Sequence, residues 1–542
     1  MSKLPLIVYS TLTALLMALA WPFIGSLWPV VFIALVPMLL LEEHVFRKGY
    51  RPRKVFLHAY WFFLVFNCAT TWWIWYASAG GAVMAFFFNA LLMAIPFWLF
   101  HVTRRRVGSR EGIIAFFLNW LAFEYLHYSW ELSWPWLSFG NVFAMVPSVV
   151  QWYEITGVTG GTLWILVLNF LFFRIVRDVF WLQKQSMKEQ LSRFIFIALL
   201  LFTPILISLK MYSSCSDKGE PVDIVIVQPN IDPYNEKFGG LTMKAQFDIY
   251  ADLARKSLDE NVEYLLGPET QIPFSVNEDA IDSNTAVKAF RNLCSDYPQL
   301  KIVTGMSSYT VFREGSRKSP TAKPTSEPGY VYDHFNASLQ IENNAAVHVY
   351  HKMKLVLGVE KVPFSGWFPF LEKLALDMGG SSGSMGSETA PKVFTAQKDP
   401  RHVVVPAICY ESIYGEHIAE FVRLGGDLIF VITNDGWWED TPGYKQHMSY
   451  SRLRAIENRR SIARCANTGI SCFINQRGDV VQQTKWWEPA VLRGVVFANT
   501  EQTWFTRHGD FIGRSALFVA LLLTFYTLTR MLMGKTASKK EI

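Results

Sequence analysis

"VVVPAICYESIYGE", residues 403–416, carries the reading on which the rest of the chain turns. Three valines, Pro406, Ala407 and Ile408 make an apolar run of the kind found in a strand buried on both faces. The run ends on Cys409, followed at once by Tyr410 and Glu411. An apolar strand that stops on a thiol beside a carboxylate raises a chemical question, and other strand ends answer it.

The surrounding block, about 213–510, alternates strand-like and helical patterns. Strand-like runs are "VDIVIVQPN" (222–230), "VEYLLGPET" (262–270), "KIVTGMSSY" (301–309), "HVVVPAICY" (402–410) and "DLIFVITND" (427–435). Helical patterns cover 243–258 and 444–465, and two polar stretches, 312–330 and 377–391, read as loops. The alternation predicts an α/β domain with a sheet covered on both faces.

Outside this block the composition belongs to a membrane. The 542 residues are 51% hydrophobic and 15% aromatic but only 18% charged, with a mean hydropathy of +0.19. Apolar windows near 4–23, 25–41, 56–78, 80–102, 112–128, 162–180, 194–212 and 512–533 each approach the roughly 20 residues that span a bilayer. The expected organisation is a membrane domain over 1–212 with about seven transmembrane helices, a catalytic block over 213–510, and a last span with a basic tail over 511–542. A cleaved leader at Met1–Ala20 is disfavoured because a second apolar window follows almost immediately.

Charge orients the spans. Loop 42–54 holds Arg47, Lys48, Arg51, Arg53 and Lys54; loop 103–111 holds Arg104, Arg105, Arg106 and Arg110; 174–193 holds Arg174, Arg177, Lys184, Lys188 and Arg193. The turn at 79–80 and the loop 129–161 have neither Lys nor Arg. Eight spans fit this alternation with both termini in the cytoplasm and the 213–510 block outside. The basic residues lie on those loops, not on one folded surface, so nucleic-acid binding has no support.

Three strand ends carry reactive groups. "GPETQIP" holds Glu269 on a turn stiffened by prolines, "VYHKMKLVLGVEKVPF" supplies Lys352 and, eight residues on, Glu360, and "PAICYES" supplies Cys409. A carboxylate can take the proton of a thiol, and an ammonium can stabilise thiolate and oxyanion. That set performs acyl transfer with no metal and no organic cofactor. Each residue alone would read as a turn acid, a solvated lysine or an inert buried thiol; their joint order is what points to chemistry. The six cysteines show no CxxC or regular spacing, so they give neither a zinc site nor a disulfide framework.

The ordered segments "GPETQIP", "YHKMKLV" with its following glutamate, "VPAICYES" and "ITNDGWW" resemble the nitrilase superfamily of Glu-Lys-Cys carbon–nitrogen hydrolases. Set between seven spans and one, the block resembles the bacterial apolipoprotein N-acyltransferase family within it, and "WPWLSFGN" (134–141) and "GVTGGTLWILVLN" (157–169) look like that family's membrane segments. The resemblance implies a multi-span α-helical membrane domain plus an αββα nitrilase-like sandwich facing the periplasm from the bacterial inner membrane. It implies an acyl chain passing from a phospholipid, through a Cys409 thioester, to the N-terminal amine of a diacylated apolipoprotein. Glu269 would be the base, Lys352 the electrophilic stabiliser and Cys409 the nucleophile. Glu360 and Glu411 match supporting carboxylates, Tyr410 the residue whose N–H serves the oxyanion, and Trp437 an aromatic near the site. Two departures stand out: Val356-Leu357-Gly358-Val359-Glu360 shifts the family's glycine, and Lys237-Phe238 stands where a tryptophan is usual.

A membrane-tethered amidase acting on a small amide is the alternative reading, and it leaves eight spans unexplained. A transporter needs more ionisable residues in its spans than this chain offers, Glu124 being the main one and near a span end. The aromatics of 362–374 suit an interfacial anchor. Topology is open to direct measurement: a membrane-impermeant protease or thiol reagent added from the outer face should reach the 213–510 block and spare loops 42–54 and 103–111. The reverse pattern would overturn the orientation.

Overall fold

The computed structural model describes residues 5–179, 187–315, 321–368, 370 and 384–540. They form two compact units: Met1–Trp72 with Ala82–Ser213 and Asp510–Ile542, and Ser214–Gly509 with the short segment Trp73–Gly81.

The first unit is helical. All eight apolar windows fall mainly on helix, the principal ones being Leu6–Ala20, Val36–Arg47, Arg53–Thr71, Asn89–Arg106, Ser109–His127, Tyr153–Arg177, Met187–Ser214 and Phe511–Lys540. Among the described residues, five helical stretches are long and apolar enough to cross a membrane: Trp28–Arg47, Ala79–Arg106, Tyr153–Arg177, Leu191–Ser214 and Phe511–Met533.

Two windows differ from the sequence reading. The helix of window 56–78 stops at Thr71, where "TTWWIWYASAGG" crowds together β-branched, aromatic and glycine residues that favour a helix less than Leu or Ala. The helix of window 162–180 starts at Tyr153. The shortened loop before it is filled by the tight turns Pro135–Leu137, Phe139–Met145 and Pro147–Val149.

Glu124 faces the interior of this unit, not the interface. It accepts from the Phe139 N–H (2.8 Å), the Trp120 indole (2.9 Å) and the Thr162 hydroxyl (2.7 Å). A buried carboxylate needs such partners, and these tie the turn at Phe139 to the helix that carries Thr162. Close packing of the same region fixes Gly140, where a Cβ would lie 2.1 Å from the Val158 carbonyl oxygen.

The second unit is two facing sheets with helices outside them. One sheet has eight strands, its main path running 490–498, 220–228, 264–266, 301–313, 330–342 and 323–324, with 272–277 and 348–351 paired alongside. The other has six, in the order 480–483, 472–474, 461–466, 428–433, 403–408 and 394–395. Each has a parallel centre: 220–228, 264–266 and 301–313 in one, and 403–408, 428–433 and 461–466 in the other. Five of these six strands are the apolar runs of the sequence, and the stretches 224–228, 264–266, 301–306, 404–408, 428–433 and 461–466 are buried. The sheets meet through contacts such as Tyr264 edge-on to Phe430 and the Cys465 thiol on the Val227 carbonyl.

Helices Met243–Arg255 and Thr285–Asp296 cover the eight-stranded sheet, packing Tyr250, Phe290 and Leu293 on Val225, Leu265 and Ile302. Gly415–Arg423 and Pro442–Asn458 lie against the six-stranded sheet. The αββα sandwich is therefore realised. One boundary differs from expectation: the helical pattern over 444–465 ends at Asn458, Arg459 takes the left-handed conformation (φ 49°), and Ser461–Ala466 becomes a strand paired to Leu428–Thr433. A run as apolar as this one is buried more completely as a central strand than as the last turns of a helix. Within 312–330 the expected loop is shorter, because Lys301–Arg313 and Tyr330–Glu342 pair along their whole length.

Candidate active site

Three strands deliver their chemistry at their C-terminal ends. Glu269 follows strand Tyr264–Leu266, Lys352 follows His348–His351, and Cys409 follows Val403–Ile408 and opens a short turn to Ile413. All three line one cavity of about 170 Å³, with Glu360, Asn336 and Asn434. Its remaining wall is largely apolar and includes Phe238, Pro273, Val356, Val359, Trp437 and Trp438.

Lys352 is the centre of the arrangement. Its ammonium donates to Glu269 Oε1 at 3.1 Å and to Glu360 Oε1 at 2.9 Å, with only 1% of the residue exposed. Burial alone would lower its pKa, but the two carboxylates and the neighbouring thiol hold it well above the ordinary lysine range. The amide of Asn336 donates to the same two oxygens, at 2.7 and 2.8 Å. Glu269 Oε2 accepts from the Asn434 N–H at 3.0 Å, and Glu360 Oε2 from the Val356 N–H at 2.8 Å. The shifted glycine explains itself here: Gly358 sits at φ 84°, in the turn that carries Glu360 back to Val356.

Cys409 is buried, at 8% exposure. Burial, with the negative charge of Glu269 beside it, pushes its thiol well above the ordinary cysteine range, and Lys352 opposes that shift. At neutral pH the resting thiol is therefore protonated and needs a base. Two backbone positions at the site take left-handed conformations that only glycine adopts without cost: Cys409 itself (φ 50°) and Thr270, next to Glu269 (φ 49°). Strand 301–313 crosses so close behind Glu269 that a Cβ on Gly305 would lie 2.5 Å from the Thr270 nitrogen.

Glu411 lies outside the cavity lining and works as a clamp. It is fully buried and accepts from the Tyr350 hydroxyl (2.6 Å), the N–H groups of Met353 (2.7 Å) and Lys354 (3.2 Å), His417 Nε2 (3.2 Å) and, on its other oxygen, the Ile408 N–H (2.8 Å). One carboxylate thus joins the end of the Cys409 strand to the segment that carries Lys352. Tyr410, buried, directly follows Cys409 and stacks edge-on to Tyr414. Trp437 lies nearly parallel to Phe238 at 6.2 Å and edge-on to Tyr234 at 5.2 Å, so Phe238 fills the position where a tryptophan was expected.

Segment Trp73–Gly81 contributes to the cavity as well: Ala77 lines it, and Trp73 meets Trp438 edge-on at 4.9 Å. Of the aromatic stretch 362–374, residues 369 and 371–374 lie outside the described residues. Trp367 is 80% exposed and Phe370 67%.

With this geometry in view, comparison with known proteins is direct. Residues 13–171 match the apolipoprotein N-acyltransferase N-terminal domain, and residues 226–504 match the carbon–nitrogen hydrolase family. An apolipoprotein N-acyltransferase of Chlorobaculum tepidum is 31% identical over 94% of this chain and 93% of its own. The chain belongs to the apolipoprotein N-acyltransferase family. A second relative of that name, from Geobacter metallireducens, is 27% identical over 92% of this chain and 91% of its own. Within this family frame the two-sheet unit is the carbon–nitrogen hydrolase part, and the match ends just before the last apolar helix.

The sequence reading missed Asn336, Asn434 and the role of Lys237. Lys237 is fully buried and donates to the Glu269 carbonyl at 3.0 Å, with burial pushing its pKa down to about 7 despite the Glu269 charge. Asn336 had a signal: it is the amide that interrupts the apolar half of "YVYDHFNASLQIE". Lys237 had none, since a lysine in a loop reads as solvated.

The Glu411 clamp predicts a pH signature. Glu411 is buried, which works against its charge, yet His417, Tyr350 and the Ile408 N–H lower its pKa below the ordinary value; His417 is raised, its burial being outweighed by Glu411 and Glu420. The Glu411 contribution is complete above about pH 4.3, and the His417 contribution is complete below about pH 6.5, its ordinary value. In thermal unfolding, the deficit of Glu411→Gln against wild type should be widest between those limits. It should narrow on the alkaline side as pH rises through the raised His417 value, and on the acid side as Glu411 protonates.

Proposed function

We propose that this chain, an acyltransferase by family, moves a fatty acyl group from a membrane phospholipid to the N-terminal amine of a diacylglyceryl-modified apolipoprotein. Glu269 takes the Cys409 proton, and the thiolate attacks the ester carbonyl of the phospholipid. Lys352 and the Tyr410 N–H stabilise the oxyanion that forms. Its collapse breaks the ester C–O bond, Glu269 returns the proton to the departing oxygen, and a lysophospholipid leaves with the acyl group held on sulfur. The acceptor amine then attacks the thioester, gives its proton to Glu269, and the thiolate departs from the new amide.

The observation that carries this reading is the single buried cluster of Glu269, Lys352, Glu360 and Cys409, facing an apolar cavity. The raised thiol requires a base, and of the two carboxylates lining the cavity Glu269 is the one whose charge acts on the thiol, with its other oxygen accepting from the Asn434 N–H. Lys352, fixed by two carboxylates, stays cationic through both half-reactions, which suits charge stabilisation and not proton transfer. The apolar wall suits an acyl chain, and the five membrane-length helices keep the chain where phospholipid is the abundant acyl source. The exposed Trp367, Phe368 and Phe370 give the segment after Glu360 an apolar face for a lipid surface. The basic loops support an orientation with the two-sheet unit on the periplasmic side of the inner membrane.

The test is a burst experiment. Purified protein mixed with phospholipid alone should release lysophospholipid equal to the enzyme concentration and carry a fatty-acyl mass on the 403–416 peptide, with turnover only after a diacylated lipopeptide is added. Cys409→Ser should abolish the adduct while leaving the fold intact, and Glu269→Gln should abolish the burst. Lys352→Ala should slow both half-reactions by about 3 kcal/mol, the effect of one lost oxyanion donor. Strict dependence of lysophospholipid release on lipopeptide would refute the two-step scheme.

A further inference from the structure

Next to Cys409 lies a second polar cluster that the reaction as described does not use: a His447 ring nitrogen, an Asp435 carboxylate oxygen and the Cys409 thiol lie within 4.8 Å of one another. His447, in helix Pro442–Asn458, is fully buried and does not line the cavity. Its Nε2 is 3.0 Å from the Cys409 carbonyl oxygen. A carbonyl oxygen can only accept, so Nε2 carries the proton and donates. The Ser412 hydroxyl donates to the same oxygen at 2.8 Å. At the other ring nitrogen, Asp435 Oδ1 lies 2.9 Å and Arg464 Nη2 3.0 Å from Nδ1, and Arg464 also donates to Asp435 Oδ2 at 2.7 Å. Asp435 and Arg464 are fully buried too, and Thr433 donates to Asp435 at 2.8 Å.

Such a cluster is costly to bury unless it holds something in place. What it holds is a carbonyl in strained backbone, since Cys409 sits at φ 50°. The Cys409 carbonyl and the Tyr410 N–H share one peptide plane and point in opposite directions across a trans bond. Pinning the carbonyl toward His447 therefore fixes the direction of the Tyr410 N–H, which points away from His447.

We infer that His447, held by Asp435 and Arg464, is a positioning residue that aims the oxyanion-stabilising N–H of Tyr410 by fixing the Cys409 carbonyl. This rests on the acyl-transfer reading of the site. It adds that half of the oxyanion stabilisation is set by a side chain that never meets the substrate.

The test separates aim from nucleophilicity. Full-length His447→Ala and His447→Gln proteins are compared with wild type for the rate of the lysophospholipid burst, the KM for phospholipid, and the alkylation of Cys409 by iodoacetamide. Alkylation is a displacement at saturated carbon with no tetrahedral oxyanion, so it reports the thiol alone. In His447→Ala the burst rate should fall about 10- to 100-fold, the range expected for a misaimed oxyanion donor, while KM and alkylation stay close to wild type. His447→Gln, whose amide N–H can reach the same carbonyl, should recover most of the loss. Ser412→Ala, which removes the other donor, should show a smaller drop of the same kind and serves if His447→Ala does not fold.

A burst rate unchanged in both His447→Ala and Ser412→Ala, alkylation falling in parallel with the burst, or His447→Gln no better than His447→Ala would overturn the inference. Failure of the acyl-transfer reading itself looks different: the wild type would then release no lysophospholipid at all.

Discussion

An ammonium group shared between two buried carboxylates is the constraint around which the α/β unit is arranged. A lysine this deeply buried would shed its proton unless opposite charge lay within hydrogen-bond reach. Glu269 and Glu360 supply that charge from different parts of the chain, and Asn336 bridges the same two oxygens. Removing either acid takes away one of the two carboxylates that hold the ammonium and that Asn336 bridges. The positions of Glu269, Glu360 and Lys352 are therefore one property of the fold, and none can be adjusted alone.

Around that centre the backbone departs from relaxed conformations where reactive atoms must be presented. Cys409 and Thr270 both take positive φ, and each is over-determined by its surroundings. Behind Thr270 the crossing strand comes so close that only Gly305 fits. Beneath Cys409, Glu411 grips the strand end through the Ile408 N–H, and Ser412 and His447 grip the carbonyl. Local strain of about 1–3 kcal/mol per residue persists only with such support, which accounts for so many buried polar partners near one small cavity.

Much of this was legible in the sequence because its signals are local. Apolar runs of strand length marked most of the two parallel centres, and Glu269, Lys352 and Cys409 each stand just after a strand, the first two in one sheet and Cys409 in the other, so they meet where the two sheets face each other. Glu360 and Glu411 could be placed by their distance from those residues. The same logic fails where tertiary packing overrides a local pattern. Residues 459–465 continue a helical periodicity but are drawn into the six-stranded sheet, and the apolar run 56–78 leaves its helix at Thr71 because part of it serves the other unit. Lys237 and His447 were invisible for a different reason: nothing in a loop lysine or a helical histidine announces burial, and only three-dimensional neighbours distinguish them from solvated residues.

The catalytic unit is also discontinuous in the chain. Ala77 belongs to its cavity wall and Trp73 packs on Trp438 of that wall, yet both are translated more than three hundred residues ahead of Cys409. A fragment cut at Ser214 would hold every reactive side chain and still lack part of its own enclosure, with the Trp438 ring stripped of its partner. That part of the wall is synthesised before the thiol it helps enclose. The last lining residue in the chain is Trp438, only 29 residues after Cys409, so the lining is complete in sequence soon after the thiol is made.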